Sequence, residues 1–484
     1  MPTPPRWLPL VLLVLVAAWW RMHDLAARPM HADEANQGVK TGNLLETGRY
    51  AFDPGDHHGP VLYYLALPIA WARGQTTLAR LDETTLRLLP ALVGTLAVLL
   101  LYWLARPLGP WPALVAAVFL AVSPPSVYYS RYFIQETLLV GFSLGLFLAA
   151  RNFWCTGKLR WALIAGACAG LMQATKETAP IVALAALLGG LAVLRVVRPA
   201  AGIRWPVAAG VFVGTAFVVA ALFYSSFGTH WTGLSDAFVV YARSARRLAE
   251  GVTGHEKSWT YYLQLFGWQE KGGLVFEQVA FSLLAVVGFV LAWRRPEPLL
   301  RWAAVQTIIL LIVFSLTPYK TPWQVIQFVP GMAILAAGTI AALDRWPAGR
   351  WLGAAAASVT VIFLGVQTAR VTGRYAADER NPYAYVHSAP DVLKFRALAE
   401  AALRAHPDRP IRVISEEYWP LPWYLRGLDN VGYWNERPDD CDGALVIASA
   451  GLAETVRAHL HGEYAETFLG LRPGFVCVVF TPRS

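Results

Sequence analysis

Charge is scarce in this chain. Asp, Glu, Lys and Arg make up only 15% of its 484 residues, where a water-soluble domain carries roughly 25%. That shortfall excludes an ordinary soluble enzyme. Cysteine is scarce as well. Cys155, Cys168, Cys441 and Cys477 are too few for a disulfide scaffold and have no metal-type spacing. If the C-terminal region is extracytoplasmic, Cys441 and Cys477 could form one bridge. Internal repeats and low-complexity segments are missing too. The net charge of +9 is not gathered into a patch, so basicity does not point to a nucleic-acid partner.

What the chain has in abundance is apolar. Hydrophobic residues make up 56%, with 20 Trp, and the mean hydropathy is +0.42. This composition predicts a polytopic membrane protein whose surroundings are the lipid bilayer. Roughly eleven segments have the length and apolarity of a span. They lie near Trp7–Met22, Leu86–Ala105, Trp111–Val122, Leu138–Phe153, Trp161–Ala174, Thr178–Val197, Val207–Phe223, Val275–Trp293, Leu299–Leu316, Val325–Leu343 and Trp351–Thr368. Val61–Ala72, preceded by Gly59-Pro60 and interrupted by Pro68, reads as an interfacial helix. Arg6 ahead of the first apolar run fits a signal peptide or an uncleaved anchor, and the greasy chain behind it favours the anchor.

The loops set an orientation. Arg6, Arg106, Arg151, Lys158, Arg160, Arg195, Arg198, Arg204, Arg294, Arg295, Arg301, Arg345 and Arg350 fall on one side, the cytoplasmic side by the positive-inside rule. The opposite side holds the Asp33-Glu34 loop, Ser123–Gln135, Lys176-Glu177, the long loop Ser226–Gly273, Thr317–Pro322 and the C-terminal tail. Every group suited to chemistry lies there. From about Tyr375 the composition changes to a small soluble α/β domain of about 110 residues. Pro390 to His406 reads as helical, Leu452–Leu460 as a second helix, and Ile411–Ser415, Leu445–Ala448 and Val476–Phe480 as strands. The expected domains are residues 1–374 in the membrane and 375–484 outside it.

Paired carboxylates beside a bilayer are expensive and therefore functional candidates. Asp33 and Glu34 follow the first span directly; the bland reading is that they begin a loop or cap a helix. With His31, Asp53, Asp56, His57 and His58 they supply acid and base groups, or a divalent metal site on His31 and His57. Past Ser123-Pro124-Pro125, Arg131 and Glu136 stand among aromatics. Arg131 either snorkels to head groups or offers its forked donors to a phosphate. Lys176 and Glu177 could neutralise each other in a turn. Tyr319-Lys320-Thr321-Pro322-Trp323 adds a cation, and the long loop adds Tyr241, Arg243, Arg246, Arg247 and Gly254-His255-Glu256-Lys257. Carboxylates facing cations suit a reaction with a hydroxyl acceptor and a phosphate leaving group.

Taken together, the first helix, Asp33-Glu34, the segment Leu44 to Tyr50, and the aromatic helix with Pro68 resemble the GT-C fold glycosyltransferases. The branch is that of the protein O-mannosyltransferases and the lipid A aminoarabinose transferases. Arg87 to Gly94 and Lys320-Thr321-Pro322 are similar to motifs of that branch. Gly254 to Lys257 and Tyr319 to Trp323 look closer to its flippase-activity-associated subgroup of archaeal N-glycosylation type. The resemblance covers the membrane part, and the tail fits the subgroup. It implies inverting transfer of a sugar from a polyprenyl-phosphate donor to an extracytoplasmic lipid, protein or glycan acceptor. No cofactor is expected, with a divalent metal as the alternative. Asp33 matches the catalytic base and Glu34 its companion acid. Arg131 and Glu136 match a basic and acidic pair, and Lys320 matches a phosphate contact, with Tyr319 and Lys176 beside the same site. Relatives often carry Lys-Pro-Pro where this chain has His58-Gly59-Pro60, so a fixed charge becomes one that titrates near neutrality. A lipid-linked saccharide flippase component or a non-catalytic assembly subunit are the alternatives. A flippase calls for polar groups inside the spans, and these spans carry few.

Overall fold

The computed structural model describes residues 7–56, 58–250 and 256–483. The chain begins with α1 (Leu8–Met22), α2 (Ala32–Thr47), α3 (Val61–Ala72), α4 (Glu83–Ala105), α5 (Pro110–Val122) and α6 (Pro124–Tyr129). It continues through α7 (Glu136–Thr156), α8 (Leu159–Gln173), α9 (Ala179–Leu191), α10 (Trp205–Tyr224), α11 (Gly233–Glu250) and α12 (Tyr261–Phe266). A hairpin of β1 (Trp268–Lys271) and β2 (Leu274–Glu277) precedes α13 (Val279–Arg294), α14 (Pro298–Leu316), α15 (Val329–Leu343) and α16 (Gly349–Thr372). Two compact units result. One takes the residues up to Leu25, Arg49–Ala66 and Arg87–Tyr375; the other takes Ala26–Gly48, Leu67–Leu86 and the residues from Ala376.

The first unit is built of helices because hydrocarbon offers no partner to a backbone N–H or C=O, and an α-helix satisfies both internally. Each of the eleven expected segments contains one. Among the described residues, five helical stretches are long and apolar enough to cross a membrane: Glu83–Leu108, Glu136–Thr156, Trp205–Tyr224, Pro298–Leu316 and Gly349–Thr372. The helices α1, α3, α5, α9, α13 and α15 are shorter apolar ones. Leu15, Val213, Phe217, Leu283 and Ile362 lie exposed on these helices, a pattern that suits lipid-facing surfaces. The chain is an α-helical polytopic membrane protein.

Small residues let the helices approach. Gly166 and Gly170 stand four apart on α8, and a Cβ on either would collide with the Phe212 or Ala216 carbonyl of α10. This is the small-xxx-small arrangement of membrane helix pairs. The long loop Ser226–Gly273 is a correction to the sequence reading, for it holds α11, α12 and β1. The stretch 233–250 alternates apolar and polar residues with a helical period, so a helix is its natural state. Gly254 and His255 lie outside the described residues, as does His57.

In the second unit, α17 (Lys394–Ala405), α18 (Leu421–Tyr424) and α19 (Ala450–Arg457) accompany five strands. These are β3 (Ile411–Ile414), β4 (Val431–Trp434), β5 (Leu445–Ser449), β6 (Tyr464–Arg472) and β7 (Phe475–Pro482). The sheet order is β4-β3-β5-β7-β6, with β3 parallel to both β4 and β5 and β7 antiparallel to β5 and β6. The central strand β5 is buried at every position, as a strand covered on both faces must be. On one face Ala453 and Val456 of α19 pack with Ile414, Val446, Ala448, Val478 and Phe480.

The anticipated Cys441–Cys477 bridge does not form. Both thiols are free. Cys441 joins the cluster that includes Val478 and Phe480, while Cys477, one residue before Val478 on β7, points to the opposite face of the sheet. Burial pushes the Cys477 thiol up to about 12.

Candidate functional site

The Asp33-Glu34 pair is the first turn of α2 rather than a loop. His31 is the N-cap, its Nδ1 accepting the Asp33 backbone N–H at 3.1 Å. Glu34, three residues on, returns an oxygen to the His31 backbone N–H at 3.1 Å. This reciprocal capping box satisfies two donors that a helix start leaves open. Asp33 and Glu34 also place negative charge at the positive end of the helix dipole. Gly48 closes α2 at φ 68°, its N–H reaching the Leu44 carbonyl at 2.8 Å.

The two carboxylates then part ways. The Glu34 side chain is fully buried and ion-paired with Arg28 at 3.2 Å, whereas that of Asp33 is 40% exposed. Arg28 also donates from Nη1 to His387 Nε2 at 2.8 Å. Ser388 Oγ donates to the Met30 carbonyl at 2.7 Å, and the Met30 N–H donates to Tyr424 Oη at 2.8 Å. Glu34 is therefore an anchor, while the partly exposed Asp33 carboxylate lies beside the His31 ring, Oδ2 to Nδ1 3.8 Å. Sequence reasoning missed Arg28, His387 and Tyr424. Arg28 was visible as a cation six residues before a carboxylate; the others carry no local signal.

His31 does not fit a metal-ligand role. Its Nε2 meets the Tyr385 carbonyl at 3.1 Å, so both ring nitrogens hold hydrogen bonds within the protein. Among the described residues no three His, Cys, Asp or Glu side chains are grouped to hold an ion.

The remaining candidates belong to the membrane unit. Lys176 and Glu177 do not neutralise each other in a turn. Lys176 forms a buried ion pair with Glu136, the first residue of α7. Glu177 instead accepts from His58 Nδ1 at 2.7 Å. Burial alone would raise the Glu177 pKa, but His58 and then Lys176 outweigh it and hold the carboxyl at about 2. The backbone makes the meeting possible. Gly59 N–H donates to the Thr175 carbonyl and Val61 N–H to the Ala174 carbonyl, each at 3.1 Å. A Cβ at position 59 would collide with that Ala174 oxygen, so only glycine lets the two segments lie together.

Arg131 sits at the C-terminal end of α1. Its Nη1 donates to the carbonyls of Trp20 at 3.2 Å and His23 at 2.5 Å, and its Nη2 to that of Asp24 at 3.1 Å. A cation there complements the negative end of the helix and fills carbonyls that have no helical partner.

Lys320 is buried and donates from Nζ to the Lys257 carbonyl at 3.0 Å and the Thr317 carbonyl at 2.6 Å. Among the described residues no carboxylate pairs with it. Burial lowers its pKa from the ordinary lysine value. An isolated β-bridge joins Glu256 to Tyr319, so the two polar segments singled out in the sequence meet here. Tyr319 is 38% exposed. A buried ammonium held by neutral carbonyls still attracts an anion.

Residues 57–224 match a family model described as dolichyl-phosphate-mannose-protein mannosyltransferase. ArnT from Cupriavidus metallidurans in the apo state is similar over 97% of this chain and 97% of its own, at 15% identity and a TM-score of 0.64. The fold is that of the GT-C glycosyltransferases. The same ArnT bound to undecaprenyl phosphate is similar over 98% of both chains, at 15% identity and a TM-score of 0.62. The Archaeoglobus fulgidus oligosaccharyltransferase shares the GT-C fold over 96% of this chain and 72% of its own, at 14% identity and a TM-score of 0.55. No curated protein sequence matches the chain.

Proposed function

We propose that this GT-C protein transfers a sugar from a polyprenyl-phosphate donor to an acceptor hydroxyl on the extracytoplasmic side of the cell membrane, with inversion. The observation that carries the reading is the difference between two neighbouring carboxylates. Glu34 is consumed by capping and by Arg28 and is fully buried, while the Asp33 carboxylate in the same turn is 40% exposed. A half-exposed carboxylate on a fixed helix start is suited to general base catalysis.

Asp33 takes the proton of the acceptor hydroxyl. The acceptor oxygen attacks the anomeric carbon from the face opposite the phosphate. The bond from that carbon to the phosphate oxygen breaks, and the lipid phosphate leaves with the electron pair. Lys320, Tyr319 and His58 are the groups suited to receive the phosphate, since cations and donors stabilise charge that develops on a leaving group. Glu136 and Lys176 are a buried pair next to Glu177, which holds His58, and Arg131 caps the end of α1. The neighbour that binds undecaprenyl phosphate supports a lipid-phosphate donor, and the acceptor is a lipid, protein or glycan hydroxyl. In this reading the residues from Ala376 are extracytoplasmic.

The test is mass spectrometry of lipid-linked and protein-linked glycans in a deletion strain complemented with wild type or Asp33→Asn. Asp33→Asn is expected to fold and to bind lipid phosphate, and to transfer about 100-fold to 10,000-fold less sugar. Transfer at the wild-type rate would refute the assignment of Asp33.

A further inference from the structure

The Asp33 turn is held from a distant part of the chain. The segment Tyr385–Ser388, ahead of the C-terminal sheet, touches the 28–34 segment at three points. The Tyr385 carbonyl lies 3.1 Å from His31 Nε2, His387 Nε2 lies 2.8 Å from Arg28 Nη1, and Ser388 Oγ lies 2.7 Å from the Met30 carbonyl. The partners dictate the protonation of both rings. A carbonyl only accepts, so His31 carries its proton on Nε2 and leaves Nδ1 to take the Asp33 N–H. Guanidinium only donates, so His387 accepts at Nε2 and carries its proton on Nδ1, 3.2 Å from the Ser388 carbonyl. The rings of the two histidines also meet edge to face at 5.9 Å. Burial, with Arg28 and His31 beside it, holds the His387 pKa well below the usual range, consistent with a neutral ring.

We propose that His387 is a positioning residue for catalysis, acting through Arg28. Its Nε2 fixes the Arg28 guanidinium on Glu34, Glu34 in turn closes the capping box, and the box sets the direction of the Asp33 carboxylate. The residues from Ala376 thereby supply part of the catalytic apparatus. The inference rests on the reading of Asp33 as base. Without His387 the Arg28 guanidinium loses the bond from Nη1 to Nε2, and with it one of the contacts that fix its direction toward Glu34.

The experiment uses the full chain with His387→Ala, His387→Gln and Asp33→Asn. Gln places Oε1 near the position of Nε2 and so keeps an acceptor for Arg28. Undecaprenyl phosphate binding is followed by intrinsic tryptophan fluorescence, and transfer by glycan mass spectrometry in the complemented deletion strain. His387→Ala is expected to bind undecaprenyl phosphate within twofold of wild type while transferring at least tenfold less sugar. His387→Gln is expected to recover most of that loss. 15N spectra of histidine-labelled wild type, which need no turnover and no variant, are expected to show His31 protonated on Nε2 and His387 on Nδ1. The proposal fails if His387→Ala transfers like wild type, if its lipid affinity falls in step with transfer, if Gln rescues no better than Ala, or if the protons sit on the other nitrogens. Asp33→Asn separates the two readings. An inactive Asp33→Asn beside a normal His387→Ala sinks the positioning role alone, and a fully active Asp33→Asn sinks the base.

Discussion

His58 and Glu177, 119 positions apart in the chain, meet in a 2.7 Å charge-assisted hydrogen bond from Nδ1 to Oε2. The bond joins the entry to α3 with the turn between α8 and α9, and it replaces the turn pair that Lys176-Glu177 suggested. Its acid sensitivity has a definite sign. The folded Glu177 pKa of about 2 lies below the ordinary glutamate value of 4.5, so the protein binds fewer protons folded than unfolded. The stabilisation is complete above about pH 4.5 and is lost as the pH falls toward about 2, and it amounts to roughly 3 kcal/mol. Glu177→Gln is therefore expected to lower the thermal midpoint at pH 7 and to flatten the loss of stability on acidification. Identical acid limbs for the two proteins would refute the pairing.

The Glu136–Lys176 pair makes a different prediction because it is deeply buried. Removing one partner strands a charge and costs about 3–5 kcal/mol, while replacing both by apolar residues costs much less. Lys176→Met is expected to destabilise the protein strongly in detergent. The double change Glu136→Leu with Lys176→Met is expected to recover most of the loss. Simple additivity of the two single changes would show that the pair is not coupled.

Gly59 tests the link between backbone and site. A Cβ there collides with the Ala174 carbonyl, a backbone atom that cannot swing aside. Gly59→Ala is expected to cost about 1–3 kcal/mol by overpacking and to separate His58 from Glu177. Circular dichroism melts and the acid limb of stability should change together. A Gly59→Ala protein with wild-type melting would mean that the segment at Ala174 yields easily.

Lys320 should act at the donor phosphate. Lys320→Met is expected to weaken undecaprenyl phosphate binding by about tenfold or more, as loss of a charge-assisted contact does. Because burial lowers the Lys320 pKa, its charge disappears earlier on the alkaline side than that of an exposed lysine. Lipid-phosphate affinity in wild type is expected to fall there, and Lys320→Met is expected to show a flatter alkaline limb. Titration of binding from pH 7 to pH 10 checks both.

Much of the fold is legible from composition and period. Each apolar segment became a helix because in hydrocarbon no other local structure satisfies the backbone. Three strands were visible as short apolar runs. β4 (Val-Gly-Tyr-Trp) and β6 escaped because one carries an interior glycine and the other is buried at only two of its positions. The helix α11 was hidden by its charges: Asp236, Arg243 and Arg246 read as loop residues until their helical spacing is considered.

The candidate site divides in the same way. His31, Asp33 and Glu34 are close in sequence, so a capping signature and a dipole argument reach them without any structure. By contrast, the partners of Lys176, Glu177, Arg131 and Lys320 lie on segments far away in the chain. No periodicity encodes such pairings, since a hydrogen bond between distant segments depends on how whole helices pack.

By itself the sequence determined that this chain is a helical membrane protein with a small C-terminal α/β region and a carboxylate pair after its first span. Hydropathy and residue spacing are local properties, and they suffice for that. Only the tertiary structure decided that Glu34 is buried on Arg28 while Asp33 stays partly exposed, that Glu177 belongs to His58, and that Cys441 and Cys477 face opposite sides of one sheet. Each of these is a choice among partners of similar chemistry. Burial and direction make that choice, and both exist only once distant segments have packed.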